Sequence, residues 1–322
     1  MKPLTLLVLS KPNAGHLVLL DRLPGSTRIV VGDNADMFRD AAPEAHVLMN
    51  GMMPRALFHD VFVQCRSLEW VHSLSAGLEN SLFPELVASP LPMTNSRGVF
   101  ARSLAEWVIA GCLYFDKSFA RLAVQKAARE FTPFDVEELH GKTMGIVGHG
   151  RIGQLTAERA RAFGMKIIAL RRRPELSHGD PLIDAAYTPD RLLDLMAESD
   201  FVVCAAPHTP DTAGLIGAAA IAAMKPSAVF INVGRGAVVD EQALIVALQQ
   251  KKIRGAALDV FTTEPLPKES PFWDLDNVLI SPHSADHTAT WLNDAMELFV
   301  ENFERFAAGQ PLKNVVDKSA GY

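Results

Sequence analysis

Three cysteines in 322 residues are too few and too scattered to form a disulfide framework. Cys65, Cys112 and Cys204 lie far apart in the sequence, and none belongs to a CxxC pair that could bind a metal. This scarcity favours a reducing, cytoplasmic location. Long apolar runs are also missing, since no stretch approaches the roughly 20 apolar residues of a membrane-spanning helix. The apolar start of the chain lacks a cleavage signal and predicts a first strand rather than a signal peptide.

The chain has no strong excess of charge of either sign. It carries 31 lysines and arginines against 37 aspartates and glutamates, a formal net charge of −6. This balance gives no reason to expect a nucleic acid or an anionic membrane surface as a partner. Hydrophobic residues make up 48% of the chain and charged residues 21%, as is typical of globular proteins. The length suffices for about two domains.

Short apolar runs alternate with helical patterns from end to end, which predicts βα units and parallel sheets covered by helices on both faces. Because the runs fall into two series, we predict an α/β protein with two Rossmann-like, doubly wound parallel-sheet domains. The first series comprises Leu4–Leu9, Thr27–Val31, His46–Met49, Trp70–His72 and Met93–Asn95. The second comprises Thr143–Val147, Lys166–Leu170, Phe201–Ala205, Val229–Val233, Gly255–Leu258 and Val278–Ile280.

A glycine-rich turn after the first strand of the second series indicates how the domains are connected. In a Rossmann fold that strand opens the domain, yet about 140 residues precede it here. A long amphipathic helix, Ala289–Ala308, follows the last predicted strand. The simplest topology inserts a dinucleotide-binding domain, residues 98–287, into a substrate (catalytic) domain formed by residues 1–97 plus 288–322.

The turn itself has the pattern GxGxxG, with a strand before it and a predicted helix, Gln154–Phe163, after it. Gly148 would form the tight turn, Gly150 would let the backbone approach a pyrophosphate, and Gly153 would let the helix pack on the sheet. The helix N-terminus would then face the phosphates with unpaired N–H groups. This context favours dinucleotide binding over a βα turn that binds nothing.

The acid that usually binds the adenosine ribose of NAD is missing. Where it should follow the second strand, some 20 residues on, the sequence reads Arg171-Arg172-Arg173. A guanidinium can pair with the 2′-phosphate of NADP instead, and Arg171, followed by Arg172, is the main candidate. Arg173 precedes a proline and is expected to be solvated. We therefore predict NADP(H) as the preferred cofactor, with NAD(H) possible, and a basic surface loop as the alternative.

Three chemically useful side chains follow later strands of the same domain. They are Arg235, Glu264 and His283, and ligands gather at such strand ends in open α/β sheets. The set suits hydride transfer to a 2-oxo acid: Arg235 would bind the substrate's oxygens, His283 would act as acid or base, and Glu264 would orient the imidazole. Each residue alone could equally be structural, and the catalytic hypothesis depends on the three occurring together. A metal site is disfavoured, because no third ligand lies near His283 and His287.

These segments resemble the D-isomer-specific 2-hydroxyacid dehydrogenases across nearly the whole chain. The matching blocks are "VHSLSAGLEN", "TNSRGVFARSLAEW", "GIVGHGRIG", "INVGRGAVVDEQAL", "GAALDVFTTEPLP" and "NVLISPHSADHT". The resemblance implies the inserted two-domain fold, the catalytic roles of Arg235, Glu264 and His283, and usually a homodimer.

The resemblance also implies further ligand contacts. The substrate carboxylate is expected on backbone N–H groups of Ser75, Ala76 and Gly77. The pyrophosphate is expected at Arg151 and Ile152, and the nicotinamide near Val233 and Asp259.

Two positions depart from the family's usual pattern. Many members carry aspartate where this chain has Arg171, which is the basis for preferring NADP(H). Many carry glycine where this chain has Asp286. We expect Asp286 to cap the final helix; at the substrate mouth it would instead disfavour a second negative charge.

The sequence therefore predicts an NAD(P)-dependent reductase of small 2-oxo acids such as glyoxylate or hydroxypyruvate. Two alternatives remain: a dinucleotide-sensing, corepressor-like binding protein with little turnover, and a family member whose substrate is not a 2-oxo acid. Side-chain specificity is expected from apolar residues: Met52, Met53, Leu74, Phe100 and Trp291.

Overall fold

The computed structural model describes residues 3–177 and 179–321. The chain divides into two compact units, Met1–Phe100 with Thr288–Tyr322, and Ala101–His287. The sequence predicted the first boundary three residues earlier, after residue 97. That the first unit is a substrate domain and the second a dinucleotide-binding domain stays a prediction.

The first unit contains a parallel sheet with the strand order β2-β1-β3-β4-β5. Its strands are β1 (Thr5–Leu9), β2 (Arg28–Gly32), β3 (Val47–Asn50), β4 (Trp70–Ser73) and β5 (Met93–Asn95). Its α-helices, numbered in chain order, are α1 (Arg55–Phe62), α2 (Pro84–Ala88) and α9 (Trp291–Ala307).

The second unit contains a parallel sheet with the order β12-β11-β10-β9-β6-β7-β8. Its strands are β6 (Thr143–Val147), β7 (Lys166–Leu170), β8 (Ala185–Tyr187), β9 (Phe201–Cys204), β10 (Val229–Asn232), β11 (Gly255–Leu258) and β12 (Val278–Ile280). Its α-helices are α3 (Ala101–Asp116), α4 (Phe119–Ala128), α5 (Arg151–Ala162), α6 (Leu192–Glu198), α7 (Ala218–Ala222) and α8 (Glu241–Gln249). Short 3₁₀ helices of both units are Gly15–Arg22, Ala35–Phe38, Ala42–Glu44, Pro174–Ser177, Pro189–Arg191, Gly236–Val238 and Pro271–Asp274.

The predicted α/β class with two parallel, doubly wound sheets is confirmed. The interior strands β1, β3, β9 and β10 are buried along their whole length, because helices cover both faces of a parallel sheet. The sequence did not predict β8 or α4. β8 is a three-residue edge strand, and α4 has no buried residue among those described, so neither carries the apolar pattern that marks the other elements.

Helix α9 closes the core of the first unit. Its aromatic residues Phe299 and Phe303 are fully buried, and Phe299 stacks on Trp70 of β4 with ring centroids 5.4 Å apart. The C-terminal tail is thereby fixed to the N-terminal sheet, as an inserted topology requires. Over the described ranges, no helix is both long and apolar enough to cross a membrane.

Candidate active site

The three candidate catalytic residues follow adjacent strands of the seven-stranded sheet. β10, β11 and β12 are neighbours and run parallel, so their carboxyl ends lie at the same edge. Arg235 follows β10, Glu264 follows β11 and His283 follows β12. The fold therefore places all three loops at the edge where parallel sheets bind ligands.

Glu264 and His283 form a close pair. Glu264 Oε2 lies 2.6 Å from His283 Nδ1, and its other oxygen accepts a hydrogen bond of 2.8 Å from the backbone N–H of Phe261. With the Nδ1 proton directed at the carboxylate, Nε2 is left for a ligand. Both side chains are accessible, with 41% of His283 and 34% of Glu264 exposed.

The loop that carries His283 is organised by Asp259. Asp259 is 1% exposed, and its Oδ1 accepts hydrogen bonds from Ser281 Oγ at 2.6 Å and from the N–H groups of Ser284 at 3.0 Å and Ala285 at 3.1 Å. His283 itself has a left-handed φ of 53° and donates its N–H to the Asp259 carbonyl over 2.9 Å. This conformation is unfavourable for a non-glycine residue, so the bonds around it hold the imidazole in place.

The Arg235 loop packs directly against the segment that leads to Glu264. A Cβ at Gly236 would lie 2.0 Å from the Phe261 carbonyl carbon and 2.2 Å from the Thr262 nitrogen, so only glycine fits there. Asn232 fixes the loop from the strand end, because its side-chain amide donates to the Arg235 carbonyl over 3.2 Å. The structure thus brings the loop of Arg235 and the Glu264–His283 pair together in one unit.

The glycine-rich turn has one open position. A Cβ at Gly148, whose φ is 97°, would lie 2.7 Å from the backbone nitrogen of Ala206, and a Cβ at Gly153 would lie 2.7 Å from the Gly148 carbonyl oxygen. Gly150 differs, since its Cβ would meet no atom within 4 Å. The chain is therefore accessible to a ligand at Gly150, where the N-terminus of α5 begins, and the turn fits a pyrophosphate.

The sequence predicted the start of α5 too late. The helix begins at Arg151 rather than Gln154, because the Gln154 N–H already bonds to the Gly150 carbonyl over 2.9 Å. Arg151 is exposed, while Ile152 packs on Ala101 and Ala105 of α3. Both remain candidates for a pyrophosphate contact through their backbone N–H groups, which have no partner within the helix at its first turn.

The three arginines after β7 have different environments. Arg171 is half-buried and its Nη1 donates to Ser177 Oγ over 2.9 Å. Arg172 is more exposed and lies 3.6 Å from Asp211. Arg173 is exposed, as expected from its position before a proline. Arg171 is therefore the best placed of the three for a specific phosphate contact.

Sequence reasoning missed two residues next to this region, His149 and Asp180. His149 is the middle residue of Gly148-His149-Gly150, and only 2% of it is exposed. Its Nε2 lies 3.5 Å from Asp180 Oδ2. A polar residue at a position enclosed by two glycines was the signal that could have drawn attention to it.

The turn after β4 presents backbone donors. The carbonyl of Ser75 accepts from the Ser96 N–H over 3.3 Å, and the carbonyl of Ala76 accepts from Asn95 Nδ2 over 2.6 Å. Within the described part of the chain, no protein acceptor binds the N–H groups of Ser75, Ala76 or Gly77. Three consecutive free donors suit an anion such as a carboxylate.

The comparisons with known proteins agree with this geometry. Residues 109–285 match the family model described as "D-isomer specific 2-hydroxyacid dehydrogenase, NAD binding domain". The chain belongs to this dehydrogenase family. Its members are oxidoreductases, and we conclude that the chain is an NAD(P)-dependent 2-hydroxyacid dehydrogenase, which confirms the resemblance found in the sequence.

Named relatives of this dehydrogenase cover most of its length. It is 35% identical over 278 residues to a glyoxylate reductase of Thermococcus gammatolerans, covering 83% of this chain and 81% of that protein. It is 36% identical over 261 residues to glyoxylate/hydroxypyruvate reductase B of Salmonella newport, covering 79% of each. A solved D-isomer specific 2-hydroxyacid dehydrogenase from Xanthobacter autotrophicus Py2, in complex with NADPH and MES, is 29% identical with a TM-score of 0.84, covering 99% of both chains.

Asp286 of this dehydrogenase does not cap the final helix, so that prediction is wrong. α9 begins at Trp291 with Thr290 as its N-cap residue, which places Asp286 too far upstream. Its Oδ1 is buried without a hydrogen bond and lies 3.7 Å from His287 Nε2. Burial raises the pKa of Asp286 and the nearby Asp259 carboxylate adds to this, while His287 and His283 oppose it. Asp286 therefore belongs to the electrostatic environment of His283.

The residues expected to set specificity all lie in the first unit. Leu74 is fully buried, whereas Met52 is 36% exposed and has a left-handed φ of 66°. Met53 is held by Asn50, whose Oδ1 accepts its N–H over 2.9 Å. Phe100 and Trp291 contact each other edge to face, with centroids 6.1 Å apart.

Proposed function

We propose that this dehydrogenase reduces small 2-oxo acids to D-2-hydroxy acids with NADPH as the preferred reductant. The observation that carries the proposal is the Glu264–His283 pair, 2.6 Å apart, at the same sheet edge as the Arg235 loop. The relatives named glyoxylate reductase and glyoxylate/hydroxypyruvate reductase support this substrate class.

His283 would act as the acid in reduction. NADPH, when bound, supplies the hydride that reaches the carbonyl carbon. His283 gives its Nε2 proton to the carbonyl oxygen as that oxygen gains charge, and Glu264 stabilises the imidazolium from the Nδ1 side. In the oxidative direction the neutral imidazole takes the hydroxyl proton. The Arg235 guanidinium orients the substrate through its carboxylate and carbonyl oxygens.

The remaining substrate contacts belong to the first unit. We propose that the N–H groups of Ser75, Ala76 and Gly77, which bind no acceptor of the described chain, hold the substrate carboxylate. The apolar side chains Met52 and Leu74 would favour a small, uncharged substituent on the substrate.

The preference for NADPH rests on Arg171. It follows Leu170 at the end of β7, where a ribose-binding acid would otherwise stand, and Ser177 already orients its guanidinium. We propose Arg171 as the main partner of the 2′-phosphate, with Arg172 beside it, and Val233 and Asp259 at the nicotinamide end. The Xanthobacter structure, which contains NADPH, supports this choice, and NAD(H) is the second candidate.

Arg171→Asp tests both the cofactor and the reaction. With glyoxylate and hydroxypyruvate as substrates, the wild-type protein should oxidise NADPH with a higher kcat/KM than NADH. Arg171→Asp should lower the NADPH value about 10- to 100-fold, because the 2′-phosphate loses a charged partner and meets a like charge. The NADH value should change little or rise, as measured by absorbance at 340 nm.

Arg173→Asp is the matched control, since Arg173 is exposed and close in sequence. It changes the net charge equally but should leave the NADPH/NADH ratio within about two-fold. An unchanged ratio in Arg171→Asp would refute the 2′-phosphate contact. Absence of turnover with every 2-oxo acid, for both cofactors, would favour the dinucleotide-sensing binding protein instead.

We also propose that the protein is a homodimer that buries α4 and the segment after it. None of the described residues of α4 is buried, and Phe119 and Leu122 are each 46% exposed. Phe131, just beyond the helix, is 99% exposed. Apolar side chains gathered on one exposed segment indicate an interface, and a second copy is the occupant that the family resemblance suggests.

Leu122→Glu should convert the dimer to a monomer, because a charge would be buried in the interface. Leu193→Glu, on α6 of the same unit and 50% exposed, is the control and should stay dimeric. Sedimentation velocity at micromolar concentration distinguishes the two states. A monomeric wild-type protein, or a dimeric Leu122→Glu variant, would refute this interface.

A further inference from the structure

His149 is a buried polar residue inside the phosphate-binding turn. Its side chain is inaccessible to solvent, and neither ring nitrogen has a hydrogen-bond partner. Nδ1 faces Gly153, where an added Cβ would lie 3.3 Å away. An imidazole in such a place costs desolvation without a compensating hydrogen bond, so an apolar residue would pack there more favourably. Its presence requires an explanation other than packing.

The Asp180 carboxylate lies close to the His149 imidazole. Nε2 of His149 lies 3.5 Å from Asp180 Oδ2, while Asp180 Oδ1 accepts the Leu182 N–H over 3.0 Å. One carboxylate oxygen is thus fixed by its own turn, and the other lies beside the imidazole without forming a hydrogen bond to it. Burial lowers the pKa of His149, the Asp180 carboxylate opposes this, and the Arg171 guanidinium adds to the lowering. These three groups therefore lie within electrostatic range of one another.

Ser177 connects Asp180 to Arg171. Its hydroxyl accepts from Arg171 Nη1 over 2.9 Å, and its carbonyl accepts from the Asp180 N–H over 3.1 Å. The carboxylate and the guanidinium of two residues that both hydrogen-bond to the same third residue would ordinarily form an ion pair with each other. Among the residues that the structure describes, however, the Asp180 carboxylate lies 3.5 Å from His149 Nε2 and forms no ion pair with Arg171.

We propose that His149 determines cofactor specificity by holding the Asp180 carboxylate under the glycine-rich turn and away from Arg171. The Arg171 guanidinium then stays available to the 2′-phosphate of NADPH. Without the imidazole, Asp180 would turn to Arg171, neutralise it and repel the phosphate. This inference rests on the proposed preference for NADPH, and it adds a positioning residue that does not itself touch the phosphate.

Four proteins test the proposal through binding alone: the wild type, His149→Leu, Asp180→Asn and the double variant. Dissociation constants for NADPH and NADH are measured by nicotinamide fluorescence without substrate. His149→Leu should raise the dissociation constant for NADPH about ten-fold and leave that for NADH within about two-fold of the wild-type value, since NADH does not bind Arg171. Asp180→Asn alone should not weaken NADPH. The double variant should recover the Asp180→Asn affinity, because the competing charge is gone.

Other outcomes overturn the proposal. Equal weakening of both cofactors by His149→Leu would show that His149 only supports the turn. A double variant that binds NADPH as weakly as His149→Leu would show that Asp180 does not compete with the 2′-phosphate for Arg171. His149→Phe carries the same prediction if the leucine variant does not fold, and His149→Gln, which keeps a donor, should retain NADPH affinity.

Arg171→Gln separates this inference from the proposed function. If it leaves the ratio of NADPH to NADH affinity unchanged, the 2′-phosphate contact itself is wrong. If it lowers that ratio while His149→Leu does not, the contact stands and only the role of His149 is refuted.

Discussion

Replacing His283 by alanine should lower kcat by about 10²- to 10⁴-fold, the usual contribution of a positioned general acid or base. The reason is geometric: Glu264 orients Nδ1 at 2.6 Å, so removal of the imidazole takes away the proton donor that this pair positions. The dissociation constant for NADPH should change little, because the glycine-rich turn and Arg171 are untouched. Steady-state rates and fluorescence titration of the same preparation measure both quantities.

His287→Ala is the matched control for this variant. It removes an imidazole of similar exposure, 46%, only four positions away, but one that lies beside Asp286 rather than Glu264. It should retain kcat within about ten-fold. A His283→Ala enzyme that keeps more than about a tenth of the wild-type kcat would remove the assigned acid, as would equal losses in the two variants.

The Glu264–His283 pair also shows how far sequence reasoning reaches. Both residues follow apolar runs, so the sequence predicted that they lie at strand ends of one sheet. The pairing itself depends on the left-handed backbone of His283 and on three donors that converge on one oxygen of Asp259. No local pattern encodes such contacts, since they join loops from different strands.

Every strand except β8 was predicted from the sequence, with each end correct to within one residue. The reason is that a strand buried on both faces is a continuous apolar run. β8 was missed because three residues at a sheet edge carry too little of that signal. The error at Asp286 has a related cause. A capping residue can be identified only if the helix start is known to the residue, and α9 begins two positions later than predicted.

The pH dependence of catalysis can be measured only at pH values at which the first unit is folded. A second histidine, His72, determines how far the pH can be lowered before that unit unfolds. His72 of β4 is fully buried against Phe299, with ring centroids 5.1 Å apart. Thr94 Oγ1 accepts from Trp70 Nε1 over 2.9 Å and is also hydrogen-bonded to His72 Nδ1, 2.7 Å away. The Nε2 of His72 is buried and has no hydrogen-bond partner in the described part of the chain, so nothing there compensates the burial of a charged imidazolium.

Burial lowers the pKa of His72 from 6.5 to about 3, which makes folding sensitive to acid. Above pH 6.5 the imidazole is neutral in both the folded and the unfolded chain, and stability does not depend on it. Below pH 6.5 His72 binds a proton in the unfolded chain but stays unprotonated in the folded chain. The free energy of unfolding should then fall by about 1.4 kcal/mol per pH unit, or about 5 kcal/mol by pH 3.

His72→Asn should be less stable than the wild type at pH 7.5, because a smaller side chain leaves a cavity, but its stability should decline less steeply with acid. Urea unfolding between pH 7.5 and 4, followed by intrinsic tryptophan fluorescence, to which the buried Trp70 contributes, measures both slopes. His59→Asn, which removes a partly exposed histidine of the same unit, should keep the wild-type slope. Parallel slopes for His72→Asn and the wild type would mean that His72 is protonated in the folded chain as readily as in the unfolded one. A loss of kcat at acidic pH would then reflect titration of active-site groups and not unfolding of the first unit.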